Sequence, residues 1–296
     1  MDFLETLSSA STAILAHRMR SFLTVLGIVI GVASVILLIS LVTGLKTYIT
    51  SQIQGLGANL LFVIPGRIGG ARTPGGVQAN RLVYTDATTL RKNLASQAQV
   101  SGVIQRNATL KYGNKSDKGA AVYGVESNYP KIISIELTDG RFFKDSEQKS
   151  TRYVAVVGKT VKTTLFGVGK FLGQKIEIGG VRYTIIGVLA PRGSIFGIDQ
   201  DNSVYVPLPA AQRQFGIDRL NAIYISVNNS SDVGNVQEKA KHILKKRLSE
   251  DEFTVQSQEQ TLSIISQITT VLGAALGGIA AISLIVGGIV IMNIML

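Results

Sequence analysis

The sequence predicts a membrane protein of α+β class, in which two transmembrane helices flank an extracytoplasmic mixed α/β domain. Three observations carry this. Hydrophobic residues make up 46% of the 296 positions and mean hydropathy is +0.29, yet the excess sits near the two ends. Between them, strand-like alternation and helical periodicity follow one another as in ordinary globular sequence. Cysteine is absent, so neither a disulfide framework nor a thiolate metal site supports the middle, which must fold on its hydrophobic core.

Residues 1–20 come first. Phe3, Leu7, Ala10 and Ile14 share one helical stripe, which predicts an amphipathic helix lying on the cytoplasmic membrane surface. Residues 21–45 are the first expected span. No charge occurs from Ser21 to Leu45, and a helix of that length reaches about 37 Å, enough to cross a hydrocarbon core of about 30 Å. His17, Arg18 and Arg20 precede it, and the positive-inside rule then places the N-terminus in the cytoplasm. The run is too long for a cleaved signal peptide, and Leu45-Lys46-Thr47-Tyr48 is a poor cleavage site.

The second expected span is 268–296. No charge follows Glu259, and no Lys or Arg anchors the end at Ile294-Met295-Leu296. The expectation is a sequence cut inside or just after this helix. Gly27 and Gly31 in the first span, and Gly273 and Gly277 in the second, have the spacing that lets helix backbones approach closely in lipid, although membrane helices also tolerate glycine without such packing. Asn293, the most polar side chain deep in the second span, is expected to bond a neighbouring helix.

Residues 46–267 are the expected exported domain. Strands are predicted at Asn59–Ile64, Val100–Leu110, Ala120–Val125, Val154–Val157, Lys175–Ile178, Val181–Leu189, Val204–Val206, Ala222–Val227 and Phe253–Gln256. Gly179-Gly180 between two of them is a two-residue hairpin signal. Gly66 to Gly76 reads as a flexible loop. Helices are expected from an N-cap at Thr85 to about Ala95, at Thr160–Phe166, and at Asp232–Leu248. The order suggests two lobes: one from both ends of the domain (about 46–118 and 216–267), the other β-rich and inserted (about 119–215).

Formal net charge is +11, which raises nucleic acid as a partner. Almost the whole excess lies between Lys46 and Arg247, flanked by membrane spans, so no nucleic acid is expected. Anionic headgroups, cell-wall polymer or an acidic protein fit better. Lys239, Lys241, Lys245, Lys246 and Arg247 form a basic helix face, which is either plain solvated surface or a site for an anionic partner.

No catalytic, cofactor-binding or metal site emerges. Val157-Gly158-Lys159-Thr160 imitates a phosphate-binding loop, but Tyr153 stands where that loop needs its first glycine. Gly167, Gly169 and Gly173 miss the dinucleotide spacing. His17 and His242 have no triad or metal constellation around them. Asp199 and Asp201 flank Gln200 and read as a solvated turn rather than a cation site.

Arg18-Met-Arg-Ser-Phe-Leu-Thr-Val-Leu-Gly27-Ile-Val-Ile-Gly31 resembles the first span of MacB-type permeases, a branch of the FtsX-like permeases. Gly55-Leu-Gly57-Ala-Asn59, Asp139-Gly140-Arg141-Phe142-Phe143, Gly173-Gln174, Ile186-Gly187-Val188-Leu189-Ala190-Pro191, Val204-Tyr-Val-Pro207 and Gly287-Gly288-Ile-Val-Ile-Met292-Asn293 continue the likeness across essentially the whole chain. The resemblance implies a permease subunit of an ABC transporter in a bacterial inner membrane. It also implies four spans per subunit, a homodimer, a partner ATPase subunit, and often a membrane-fusion adaptor protein. The exported part would have a porter-like lobe and an inserted β-rich lobe. Cytoplasmic ATP hydrolysis would move that part and drive export of antibiotics, peptides or other amphiphiles. Two other readings stay open on the residues: a two-span sensory receptor, and an FtsX-like regulator of cell-wall hydrolases.

Overall fold

The structure is a computed structural model that describes residues 18–54, 59–66, 80–167, 169–195 and 198–295. The expected amphipathic helix before residue 18 and most of the glycine-rich stretch after Gly66 lie outside these residues. The elements in order are α1 (Arg18–Gln54), β1 (Leu60–Pro65), α2 (Tyr84–Leu94), β2 (Ala98–Tyr112), β3 (Lys115–Val125), α3 (Tyr129–Ile132), β4 (Leu137–Gly140) and α4 (Asp145–Lys149). Then come β5 (Val154–Val157), α5 (Lys159–Phe166), β6 (Lys175–Ile178), β7 (Val181–Leu189), β8 (Ser194–Ile195), β9 (Ile198–Asp199), β10 (Ser203–Pro207) and α6 (Leu208–Phe215). The last are β11 (Ala222–Val227), a 3₁₀ turn at Ser230–Asp232, α7 (Val233–Lys245), β12 (Phe253–Ser257) and α8 (Gln258–Met295). The chain divides into two compact units, one holding α1 through Gln52 and α8 from Thr261, the other Ile53–Gln260.

The second unit is built on one mixed sheet of order β12-β1-β11-β2-β3-β10-β5-β7-β4, with β6 pairing both β2 and β7. β2 belongs to two halves. Its first part pairs antiparallel with β11, from Val103↔Ala222 to Ala98↔Val227. Its far part pairs with β3 and, at Leu110↔Ile178, with β6. The pairings β2–β3–β10–β5–β7–β6 therefore return to β2 and close a ring, which removes edges that would otherwise be exposed to other chains. The halves expected from the sequence thus share a continuous sheet, joined through a single strand.

Three cores follow from strand alternation. Leu61, Val63, Ile223, Ile225 and Val255 point to one face, where α2 and α7 cover them with Leu90, Leu94, Val236, Ala240 and Leu244. Inside the closed half, Val122, Val157, Ile176, Ile178, Tyr183, Ile185 and Val204 meet Val161 and Leu165 of α5. The residues between them in sequence, such as Leu60, Val103, Val125 and Tyr205, form a third cluster on the other face under α3. With both faces covered, the central strands read as continuous apolar runs. Each fully buried Leu, Ile or Val contributes about 1.5–3 kcal/mol.

Most expected elements are present, and the differences have local causes. The N-cap of α2 is Val83, not Thr85. The Asp86 carboxylate, one turn into the helix, accepts the Val83 N–H at 2.9 Å, so the helix begins earlier. Thr85 instead offers its carbonyl to the Thr88 and Thr89 hydroxyls. β2 and β3 run further than expected, as a hairpin turning at Gly113-Asn114 with Tyr112 opposite Lys115. Gly113 has φ +56°, and Gly-Asn is itself a turn signal. At Gly179-Gly180 both residues have positive φ, and Ile178 faces Val181 as the two-residue hairpin requires.

Candidate functional site

The motifs that imitate chemistry have packing reasons. Gly158 donates its N–H to the Ser203 carbonyl at 2.8 Å, and a Cβ there would lie 2.1 Å from the Asp201 carbonyl oxygen. The glycine lets β5 and the turn before β10 touch. The Asp201 carboxylate accepts the N–H groups of Arg192 at 2.7 Å and Gly193 at 3.1 Å. The Asp201 N–H donates to Asp199 Oδ1 at 2.8 Å. The acidic pair is thus a knot that fixes a loop. Among the described residues no group of three or more His, Asp or Glu is placed to hold a metal. His242 is exposed on α7.

Asp139-Gly140-Arg141-Phe142-Phe143 is likewise structural. Gly140, at φ +76°, and Gly187 face each other across β4 and β7, and a Cβ on either would lie within 2.6 Å of the opposing backbone. Arg141 clasps Glu147 with two bonds of 2.7 and 2.8 Å. These bonds, with the Lys144 N–H and against a partial desolvation cost, lower the Glu147 pKa to about 2.

The basic face on and after α7 is largely partnered within the chain. Lys239 donates to Gln97 Oε1 at 2.9 Å, Lys241 pairs with Glu238 at 2.8 Å and Lys245 with Glu250 at 2.5 Å. Arg247 turns back to grip the buried Asp86 through Nε at 2.7 Å and Nη2, and donates to the Arg81 carbonyl at 2.8 Å. Lys246 is exposed and has no such partner among the described residues. The five residues therefore do not gather into one uncompensated cationic patch. A second buried carboxylate does similar work: Glu126 accepts from Tyr84 Oη at 2.9 Å, from the Gly102 N–H at 3.1 Å and from Arg91, tying α2 to the end of β3.

An aromatic row crosses the sheet beneath α3. Phe62 meets Tyr224 edge-on at 5.2 Å, Tyr224 stacks on Tyr129 at 5.7 Å, Tyr129 leans on Tyr205 at 6.0 Å, and Tyr205 stacks on Tyr123 at 5.0 Å. Burial pushes the Tyr205 hydroxyl up to about 12 and raises those of Tyr123, Tyr129 and Tyr224, so the four tyrosines stay neutral phenols. The row runs from β1 to β10 and so braces both halves of the sheet. Beside it opens a cleft of about 290 Å³, lined by Gln105 and Asn107 of β2, Gly119, Ala121 and Tyr123 of β3, and Asp199, Gln200, Asn202 and Ser203. No sequence signal marked it, because its walls come from three segments distant in the chain.

Of the membrane glycines, Gly273 meets the other helix: an added Cβ would lie 3.7 Å from Val42 Cγ1. An added Cβ at Gly27 or Gly277 would meet nothing within 4 Å. Gly31 is half-buried in α1, and the Asn293 side chain lies outside the described residues. Both helices pass the length and hydropathy test for a span, over Val29–Ser51 and Gln258–Ile279. Ile36, Leu37, Leu41, Val271 and Ile282 are all more than half exposed, so these are not core helices of a soluble fold.

Comparison with known proteins agrees with this geometry. The MacB-like periplasmic core domain family matches residues 21–243. The chain is 34% identical over its whole length to the macrolide export ATP-binding/permease protein MacB of Bdellovibrio bacteriovorus, covering 46% of that protein. It is 33% identical to the pyoverdine export ATP-binding/permease protein PvdT of Pseudomonas entomophila, covering 45% of it. The chain thus spans a little under half the length of these curated relatives. The crystal structure of the periplasmic region of MacB from Actinobacillus actinomycetemcomitans superposes with TM-score 0.59 at 23% identity, over 72% of this chain and 95% of that one, which shows the shared fold. With two exposed apolar helices at its ends and that fold between them, the chain belongs to the MacB-like periplasmic core domain family.

Proposed function

We propose that the chain is part of an ABC transporter permease for export, working with a partner ATPase and a second permease subunit. The observation that carries this is covalent: two apolar helices enter and leave one folded domain, and β12 passes into α8 with no linker between Ser257 and Gln258. A shift of α8 driven by nucleotide in a partner would then pass along the backbone into β12. The braced aromatic row supports such motion, since a domain tied across both halves moves as a body. The relatives' names, macrolide export and pyoverdine export, support export as the activity. This sequence has no complete phosphate-binding loop, so ATP hydrolysis belongs to another domain or subunit. In this reading the N-terminus is cytoplasmic, the membrane is the bacterial inner membrane, and the open sides of Gly27 and Gly277 receive further helices. A membrane-fusion adaptor would dock on the exported side.

The test uses the full-length protein that contains this chain, expressed in an export-deficient bacterium. Co-purification with an ATPase and raised macrolide tolerance that a Walker-lysine variant of that ATPase abolishes would support the reading. Capture of a cell-wall hydrolase, with no ATPase-dependent change in tolerance, would replace it with the regulator.

A further inference from the structure

We propose that the cleft beside Tyr123 is a binding site for a neutral, hydroxyl-rich ligand of saccharide type. Strand register sets the cleft's shape. Asn107 lies opposite Ala121, which pairs in turn with Ser203, and Gln105 lies opposite Tyr123, which pairs with Tyr205. Gly119 and Ala121 make a low floor between taller walls of Tyr123, Gln105 and Asn107. The fourth wall, at Asp199–Ser203, is held rigid by the Asp201 knot and by Ser203 Oγ donating to the Gln200 carbonyl at 2.8 Å. Such a site is formed before any ligand arrives, so little ordering cost remains.

The lining chemistry narrows the ligand. In a chain of net charge +11, no Lys or Arg lines this cleft, and Asp199 does; the nearest cation, Arg192, acts on Tyr123 from outside the lining, so an anion is disfavoured. Carboxamides dominate, and each both donates and accepts. The side-chain amides of Gln105 and Asn107 are exposed and have no partner among the described residues, while Asn202 Nδ2 donates to Asp117 Oδ1 at 3.4 Å. Unpaired amides beside an aromatic ring suit vicinal hydroxyls and the apolar face of a sugar ring. A peptide strand is the poorer fit along β3 and β10, which are each paired on both sides and offer no free edge for strand addition; only β2 between Val103 and Leu110 lacks a second strand neighbour. At about 290 Å³ the cleft is at the small end of ligand pockets, which suits a disaccharide.

Saturation-transfer NMR on the full chain in lipid nanodiscs tests this, with N,N′-diacetylchitobiose, cellobiose and maltose as probes, and galacturonate against galactose for charge. We expect saturable contact with at least one disaccharide, weaker contact with galacturonate than with galactose, and at least a ten-fold loss of affinity in Asn107→Ala/Gln105→Ala. Both positions are exposed, so the thermal melt should not move. Asn107→Asp gives a second variant should the pair fail to fold. Absence of saturable binding, binding unchanged in the variants, or a preference for galacturonate would each overturn the proposal.

Discussion

At the scale of single residues, the telling positions are those where a familiar motif turns out to be packing. Gly158 carries a backbone contact that no side chain allows, while the neighbouring Lys159 is exposed. Gly158→Ala should destabilise the domain by about 1–3 kcal/mol through overpacking. Lys159→Ala should stay within about 0.5 kcal/mol, as exposed substitutions do. Thermal melts followed by tyrosine fluorescence would separate them, and equal effects would show that the Gly158 backbone contact is not what makes this segment sensitive. Glu147 gives a pH signature. Its ordinary pKa of 4.5 falls to about 2 in the folded chain, chiefly through Arg141. The unfolded state therefore binds the extra proton between these values. The stability Glu147 contributes is complete above pH 4.5 and is lost as pH falls towards 2. Melts of the native chain and Glu147→Gln should differ by a constant amount above pH 4.5 and converge below it. A difference that persists at pH 2 would show that the Arg141 clasp is not its source.

At the scale of elements, junctions matter more than interiors. α8 begins with a capping box: Gln260 N–H donates to Ser257 Oγ and Ser257 N–H to Gln260 Oε1, both at 3.1 Å. The same Oε1 accepts from Gln237 Nε2 at 3.0 Å, and that nitrogen also donates to the Val255 carbonyl at 2.9 Å. One buried glutamine thereby covers the outer edge of β12 and steadies the first turn of the long helix. Ser257→Ala should cost about 1 kcal/mol and raise hydrogen exchange in that turn. Unchanged exchange at Gln260 would mean the cap carries no load. The Ser-x-x-Gln pattern is legible in the sequence, whereas hydropathy alone carries the exported domain up to residue 267. The helix starts at Gln258, because a capped polar turn extends it beyond its apolar stretch.

At the scale of the whole molecule, the two apolar helices decide where the chain resides. Ile36 lies midway along α1 and is 59% exposed. Ile36→Lys should make insertion less favourable by about 3 kcal/mol. The measurement is carbonate extraction of the membrane fraction, where the variant should be partly released. A native chain that is itself released would end the membrane reading.

What the sequence by itself determined was set by patterns that close locally. Charge-free runs, alternation at Val154–Val157 and Val181–Leu189, and the Gly179-Gly180 turn specify their elements through neighbours a few residues away. Burial of one face is enough to enforce each of them. The short α3, α4 and α6 and the strands β4, β8 and β9 were not legible, because too few residues repeat to establish a period. Tertiary structure alone decided the rest. The ring closed by Leu110 against Ile178, the return of Arg247 to Asp86, and the cleft that gathers Asn107, Tyr123 and Asn202 all join segments far apart in the chain. Such pairings are chosen by which distant partner completes a buried carboxylate, a strand edge or a core, and no local pattern records that choice.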